Sequence, residues 1–142
     1  MTVLVIDSSV AVKWFLAEAH SAEALHLLKR ESYLHAPSLL MLEFDGTLTK
    51  RIRAGSLTPS IAREIRGAMK QLPVQFHDFI PLLEQAFELA IETRQTVYDC
   101  LFLALAIHLG SRMVTADRRF HDGILTGPLR DYLLWIGDVP AA

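Results

Sequence analysis

Four acidic residues stand where apolar segments end or are interrupted, and they are the side chains best suited to do chemistry: Asp7, Glu43, Asp99 and Asp117. Asp7 directly follows Val3–Ile6, a β-branched and aliphatic run typical of a strand buried on both faces. Asp117 follows a second run of this kind, Met113–Thr115. Ligands of open α/β sheets bind at the carboxyl ends of the strands, so we expect Asp7 and Asp117 to be neighbours.

The other two acids lie in predicted helices, on faces that point toward the core. Asp99 is followed at helical spacing by four apolar residues: Phe102, Leu103, Ala106 and Ile107. Glu43 has Leu39 and Leu40 one turn before it. A buried carboxylate is costly unless it is paired, hydrogen-bonded or bound to a metal. Simpler interpretations stay open, because Asp7 and Asp99 also suit helix starts and Glu43 could pair with Lys50.

Four carboxylates converging on one crevice would repel one another. Oxygen-liganded divalent cations such as Mg²⁺ or Mn²⁺ relieve this repulsion. Zinc is disfavoured because Cys100 is the single cysteine and the six histidines show no ligand-spaced cluster. A hard cation in such a site lowers the pKa of a bound water and neutralises charge on a phosphodiester under attack.

The segments around these acids predict an α/β fold with a mainly parallel central sheet flanked by helices on both faces. Five short strands alternate with helices, and the whole chain, residues 1–142, is expected to form one domain. Ser8 and Ser9 are predicted to cap the first helix, which continues through Val10–Leu16. The predicted strands are Val3–Ile6, Tyr33–Ala36 closed by Pro37, Val74–Phe76, Met113–Thr115 and Tyr132–Ile136. The predicted helices after the first are Ser21–Arg30, one from Ser38 to the basic turn before Gly55, one opened by Thr58-Pro59, one from Pro81, and Val97–Leu109.

Composition narrows the class of protein further. Fourteen basic and 16 acidic residues give a net charge of −2, which argues against a general basic coat but leaves room for a local basic patch. A single cysteine excludes an internal disulfide. The first apolar run is too short for a signal peptide, and the longest other run, Cys100–Ile107, is too short to span a membrane. We therefore expect a soluble, cytoplasmic protein without a membrane segment.

Other phosphate chemistries fit the first strand poorly. A phosphatase with an aspartyl nucleophile needs a second Asp two residues after the first, where this chain has Ser9. A receiver domain needs paired acids after its first strand, and Ile6-Asp7 supplies one. The sequence also lacks a Gly-rich phosphate loop and a nucleophile-elbow serine.

Five motifs, in this order and spacing, resemble a PIN-domain ribonuclease of the VapC type, the toxin of a toxin–antitoxin pair. They are VIDSSVAVKWF with Asp7, APSLLMLEFDGTLTK with Glu43, SLTPSIA, VYDCLFLALA with Asp99, and VTADRRF with Asp117. The resemblance implies that these four acids are the catalytic residues and the ligands of Mg²⁺ or Mn²⁺, and that water attacks an RNA phosphodiester. It also implies a PIN-like fold, a VapB-like antitoxin that covers the acidic site, and a homodimer.

Hydroxyl and basic side chains near the acids are further candidates. Ser8 and Thr115 can donate hydrogen bonds to the ligand carboxylates, although ordinary capping is an alternative. Lys13, Arg118 and Arg119 suit contact with RNA phosphates, although solvated surface charge is an alternative.

One residue departs from the family pattern. Members commonly carry Asn three residues after the helix Glu, and this chain has Gly46 there. Gly46 favours a second hypothesis, a catalytically weak PIN-like module that binds RNA or protein.

Overall fold

The computed structural model describes residues 2–30 and 32–142, and within them a five-stranded parallel sheet forms the centre of the molecule. Its strand order is β3-β2-β1-β4-β5, so β1 lies in the middle. The connections after β1 and β2 run toward one edge of the sheet, and those after β3 and β4 run toward the other. Right-handed crossovers therefore place helices on both faces. The strands are β1 (Thr2–Ile6), β2 (Ser32–Pro37), β3 (Val74–His77), β4 (Arg112–Thr115) and β5 (Leu133–Trp135).

The helices fill the connections between these strands. Short 3₁₀ turns at Val12–Trp14, Ile80–Leu82, Arg130–Tyr132 and Ile136–Asp138 join or extend them. The α-helices are α1 (Ser8–Ala11), α2 (Ser21–Lys29), α3 (Leu39–Arg53), α4 (Pro59–Met69), α5 (Leu83–Thr93), α6 (Val97–Leu109) and α7 (Arg118–Leu125).

The core lies between the central strands and α6, which contacts β1, β2 and β4. Every residue of Cys100–Ala106 is at most 3% exposed, and Val5 and Ile6 of β1 are fully buried. A helix that is apolar on all sides needs such an enclosed position. Thr96 fixes where α6 begins, because its hydroxyl accepts a hydrogen bond from the Asp99 amide. Gly110, in the left-handed conformation with φ of 61°, ends the helix.

The sheet and its helical layers confirm the predicted fold, and several boundaries shift by one or two residues, as in the last strand, which is Leu133–Trp135 rather than Tyr132–Ile136. Pro37 is the last residue of β2 rather than the residue that closes it, since a proline at a strand end costs the ladder little. The predicted helix Val10–Leu16 is one turn, α1, continued by a 3₁₀ turn that ends at Trp14. The capping prediction for Ser8 and Ser9 is wrong, because Asp7 caps α1 through its own carboxylate. Within the described ranges, no helix has the length and apolar character needed to cross a membrane.

Candidate active site

Asp7 is held at the carboxyl end of β1 by three hydrogen-bond donors. Its Oδ1 accepts from Ser9 Oγ at 2.5 Å and from the Val10 amide at 3.1 Å, and its Oδ2 accepts from Thr115 Oγ1 at 2.6 Å. The residue is 5% exposed. Burial raises the pKa of the Asp7 carboxyl to about 6, despite these hydrogen bonds, and the nearby charge of Asp99 adds to the increase.

Glu43 reaches the same region from the second turn of α3. Its Oε1 accepts a hydrogen bond from Ser8 Oγ at 3.1 Å, which ties α3 to the first turn of α1. Burial raises the pKa of Glu43, and the charges of Asp99 and Asp7 raise it further. Its side chain therefore faces α1. It does not form the ion pair with Lys50 that was the alternative.

Asp99 lies in the first turn of α6, half-buried, where Thr96 fixes its orientation. Thr96 Oγ1 accepts from the Asp99 amide at 3.1 Å and donates to Asp99 Oδ2 at 3.0 Å. Burial raises the pKa of Asp99, and the charge of Asp117 acts in the same direction. Placement in the first turn, near the helix dipole, and inward placement were alternatives for this residue, and the structure combines them, with Thr96 as the cap.

Asp117 follows β4 and is a direct neighbour of the Asp7 region, as the matching strand ends predict. β1 and β4 pair in parallel, and the Asp7 amide donates to the Val114 carbonyl at 3.4 Å. Asp117 caps α7 by accepting from the Phe120 amide at 3.1 Å. Thr115 connects the two acids, because its hydroxyl donates to Asp7 and accepts from the Asp117 amide at 3.1 Å.

Asp99 is the electrostatic centre of this group. Its charge contributes to the raised pKa values of Asp7 and Glu43, while Asp117 raises the pKa of Asp99 itself. Within the described parts of the chain, none of the four carboxylates forms an ion pair with Lys, Arg or His. Four separate elements thus bring acids together without a protein cation to neutralise them.

The donor set of this acid group fits a hard divalent cation. Carboxylate oxygens are the ligands that such cations prefer, and an added positive charge would offset the cost of burial and the mutual repulsion that together raise the pKa values. Among residues 2–30 and 32–142, no three His, Cys, Asp or Glu side chains lie close enough to hold a metal ion together. Mg²⁺ usually takes one or two carboxylates and keeps several waters, so this spacing is compatible with it.

The three candidate phosphate-binding cations differ in their surroundings. Lys13 Nζ lies 3.2 Å from Glu18 Oε1, and only 10% of its side chain is exposed. Arg118 stacks on Trp135, with its guanidinium carbon 3.8 Å from the ring centroid, while Arg119 is exposed. Lys13 lines a cleft of about 380 Å³ beside the acid group, together with Ser8, Ser9, Val12, Glu18, Thr47 and Ala116.

Sequence reasoning missed three residues that organise the site. Ser9 donates to Asp7 and accepts from the Ala116 amide at 3.0 Å, so it links α1 to the residue after β4. Thr96 orients Asp99, and the spacing Thr-x-x-Asp at a helix start is a signal that could have found it. Glu18 pairs with both Lys13 and Arg51, and no local pattern marks it because Arg51 is distant in sequence.

Fold and site together define an α/β protein with an acidic centre at the carboxyl end of a parallel sheet. The PIN domain family model matches residues 4–123, so the chain belongs to the PIN domain family. A ribonuclease VapC3 from Pyrobaculum aerophilum is 31% identical over 120 residues, covering 82% of this chain and 90% of the relative.

Two solved structures share the fold at low sequence identity. VapBC2 from Rickettsia felis, solved with a DNA fragment from its promoter, matches with a TM-score of 0.67 and 15% identity, covering 94% of this chain and 98% of that one. VapC20 from Mycobacterium tuberculosis, described as a toxin that cleaves the sarcin-ricin loop, matches with a TM-score of 0.66 and 16% identity, covering 85% and 95%.

Proposed function

We propose that this chain is a VapC-type endoribonuclease, the toxin of a toxin–antitoxin pair, which hydrolyses RNA phosphodiester bonds. The observation that carries the proposal is the group of Asp7, Glu43, Asp99 and Asp117, brought together from distant parts of the chain and, within the described residues, without an ion-pair partner. Membership of the PIN domain family and similarity to a VapC ribonuclease along most of the chain support it.

We further propose that Mg²⁺ or Mn²⁺ is the cofactor and that these four acids hold it, one or two of them directly and the others through metal-bound waters. When bound, the cation would activate water and offset the charge that develops on the phosphodiester. The raised pKa values of Asp7, Glu43 and Asp99 support this proposal, because a site built to hold a cation is electrostatically unfavourable for carboxylates without it.

Serine and threonine hydroxyls hold the acids in the orientation that metal binding would need. Ser9 and Thr115 fix both oxygens of Asp7, and Ser8 holds one oxygen of Glu43. Thr96 leaves one oxygen of Asp99 free of protein hydrogen bonds among the described residues. Such support limits the rotamers of the acids and so reduces the ordering needed when substrate binds.

Basic residues around the acid group are proposed to hold the RNA backbone. Lys13 lies in the cleft beside Ser8 and Ser9, and Arg118 and Arg119 follow Asp117 directly. Contacts of this kind position the nucleic acid without selecting its sequence.

The partner proposed for this toxin is a VapB-like antitoxin that covers the acidic site in the cytoplasm. The VapBC2 assembly, which shares the fold, supports a partner of this type. Expression of this chain alone should arrest growth, and co-expression of the antitoxin should relieve the arrest. An Asp7→Asn chain expressed to the same level separates toxicity due to cleavage from the load of overexpression, because it should leave growth unchanged.

A homodimer is also proposed, and an apolar stripe on the surface supports it. Four side chains at helical spacing, running from the 3₁₀ turn before α5 along that helix, are 39% to 61% exposed: Ile80, Leu83, Phe87 and Ile91. Contiguous exposed apolar surface of this kind marks interaction sites, and a second copy of the chain would cover it symmetrically.

A catalytically weak binding module is the second candidate, and Gly46 favours it. Incubation of purified protein with total RNA in Mg²⁺, Mn²⁺ or EDTA separates the two. Cleavage that requires a divalent cation and stops in EDTA supports the ribonuclease. RNA binding without cleavage under every condition supports the module.

A further inference from the structure

Two histidine rings meet on neighbouring strands, outside the acid group. His35 lies on β2, and His77 is the last residue of β3. These strands pair in parallel, and Pro37, two residues beyond His35 and therefore on its face, pairs with His77. Both side chains thus project from one face of the sheet. His35 Nδ1 lies 2.8 Å from His77 Nε2, with the ring centroids 5.1 Å apart.

The contact between the rings fixes where protons can sit. One ring N–H donates to the lone pair of the other ring, so the two facing nitrogens share a single proton. Burial lowers the pKa of His35, and the neighbouring His77 lowers it further. His35 therefore favours the neutral state, which is the form in which imidazole binds metals.

The spacing of the two nitrogens matches that of a pair of metal ligands. Imidazole nitrogens bind transition metals at about 2.0–2.1 Å, so two of them at right angles lie about 2.9 Å apart, and two at a tetrahedral angle about 3.4 Å apart. The observed 2.8 Å is about 0.1 Å shorter than the right-angle spacing and about 0.6 Å shorter than the tetrahedral spacing, so a tetrahedral ion would move the two rings apart. The proton on the facing nitrogen would move to the other nitrogen of the same ring through solvent, and both rings, which point head-on at each other, would turn so that their lone pairs converge on the cation.

We propose that His35 and His77 form a two-histidine site for a divalent transition metal such as Zn²⁺. Within residues 2–30 and 32–142, no third His, Cys, Asp or Glu completes the group, so water fills the remaining positions. Imidazole favours Zn²⁺, Ni²⁺ and Cu²⁺, whereas the acid group offers oxygen ligands that suit Mg²⁺ or Mn²⁺. The two sites are thus chemically distinct, and a bound metal would join the edge strand β3 to β2.

Isothermal titration of tag-free protein with Zn²⁺, in excess Mg²⁺ to compete at the acid group, tests the site. Wild-type protein should bind one equivalent, and His77→Gln should bind at least about tenfold more weakly. His108→Gln is the matched control, because His108 is exposed on α6 and should bind like wild type. Far-UV circular dichroism checks the fold, and His35→Gln serves as a second variant if His77→Gln unfolds.

A second readout follows the rings themselves. Nitrogen-15 NMR of the histidine side chains should show Zn²⁺ shifting the His35 Nδ1 and His77 Nε2 resonances and leaving those of His108 in place. Equal Zn²⁺ affinity in the wild type and in the folded His77→Gln or His35→Gln variant would overturn the proposal. The proposal would also be overturned if the Asp7→Asn substitution removed all of the Zn²⁺ binding that the wild-type protein shows.

Discussion

The Asp7 carboxylate serves the fold and the site with the same two oxygens. It caps α1 by accepting from the Val10 amide, and its other hydrogen bonds come from Ser9 and Thr115. Its place after a buried strand could be predicted from sequence. The full set of donors could not, because Thr115 lies 108 residues away and reaches Asp7 only through the pairing of β1 with β4.

The raised pKa of Asp7 predicts how the stability of the metal-free protein depends on pH. The pKa is about 6 in the folded state and 3.8 for an ordinary Asp, so the folded state is favoured most below about pH 4. That advantage is lost as the pH rises through about 6. The two-unit increase corresponds to a loss on the order of 3 kcal/mol in the free energy of unfolding.

Urea unfolding in EDTA, at about pH 4.5 and about pH 7.5, measures this loss in wild type and in Asp7→Asn. The comparison uses the change in the free energy of unfolding between the two pH values within each protein. This difference removes the pH-independent effect of the hydrogen bonds that the substitution alters. The change should be smaller in Asp7→Asn, and Mn²⁺ should restore stability to the wild type at the higher pH. The same pH-dependent change in both proteins would contradict the raised pKa.

At the scale of elements, α3 carries both Glu43 and the one departure from the family pattern. Asp45 points away from the acid group and pairs with Arg66 of α4 at 2.8 Å. Gly46 is exposed, and an added Cβ would meet no atom within 4 Å. The sequence predicted the course of this helix well, since it needs only periodicity and a basic last turn. It could not show that position 46 is open enough for a side chain.

Two substitutions at Gly46 distinguish an effect on helix stability from an effect on the orientation of the acids. Gly46→Ala should stabilise the protein by up to about 1 kcal/mol, because Ala is the better helix former, and should leave cleavage unchanged. Gly46→Asn should give a smaller gain in stability and raise the cleavage rate by at least about threefold. Thermal melts and initial rates measure both. Equal rates in the two variants would show that the missing Asn has no catalytic consequence here.

At the scale of the whole molecule, the sequence predicted the parallel sheet because short apolar strands alternate with helices along the chain. The contact between His35 and His77 could not be predicted, since the register of β2 against β3 decides it. The exposed stripe on α5 was equally hidden. Leu83, Phe87 and Ile91 have the spacing of a core-facing helix, and the structure leaves them exposed while Ala86 and Leu89 pack inward.

The proposed homodimer predicts that a charge on this stripe dissociates the protein. Phe87→Glu should convert a dimer into a monomer, because Phe87 is 56% exposed and its burial would then require burying a carboxylate. Gln85→Glu adds the same charge to the same helix, away from the stripe, and should leave the dimer intact. Light scattering coupled to size-exclusion chromatography measures the mass. An unchanged mass in Phe87→Glu would exclude this stripe as the dimer interface.

The proposed catalytic centre is tested most directly by the rate of RNA cleavage in Mn²⁺ for Asp7→Asn and Asp99→Asn, compared with Asp131→Asn as an exposed acid outside the site. Each site variant should stay folded and lose at least about 100-fold in rate, about 2.7 kcal/mol of barrier, whereas Asp131→Asn should cleave like wild type. If Asp7→Asn or Asp99→Asn cleaves within about threefold of wild type, that acid is not part of a catalytic metal site.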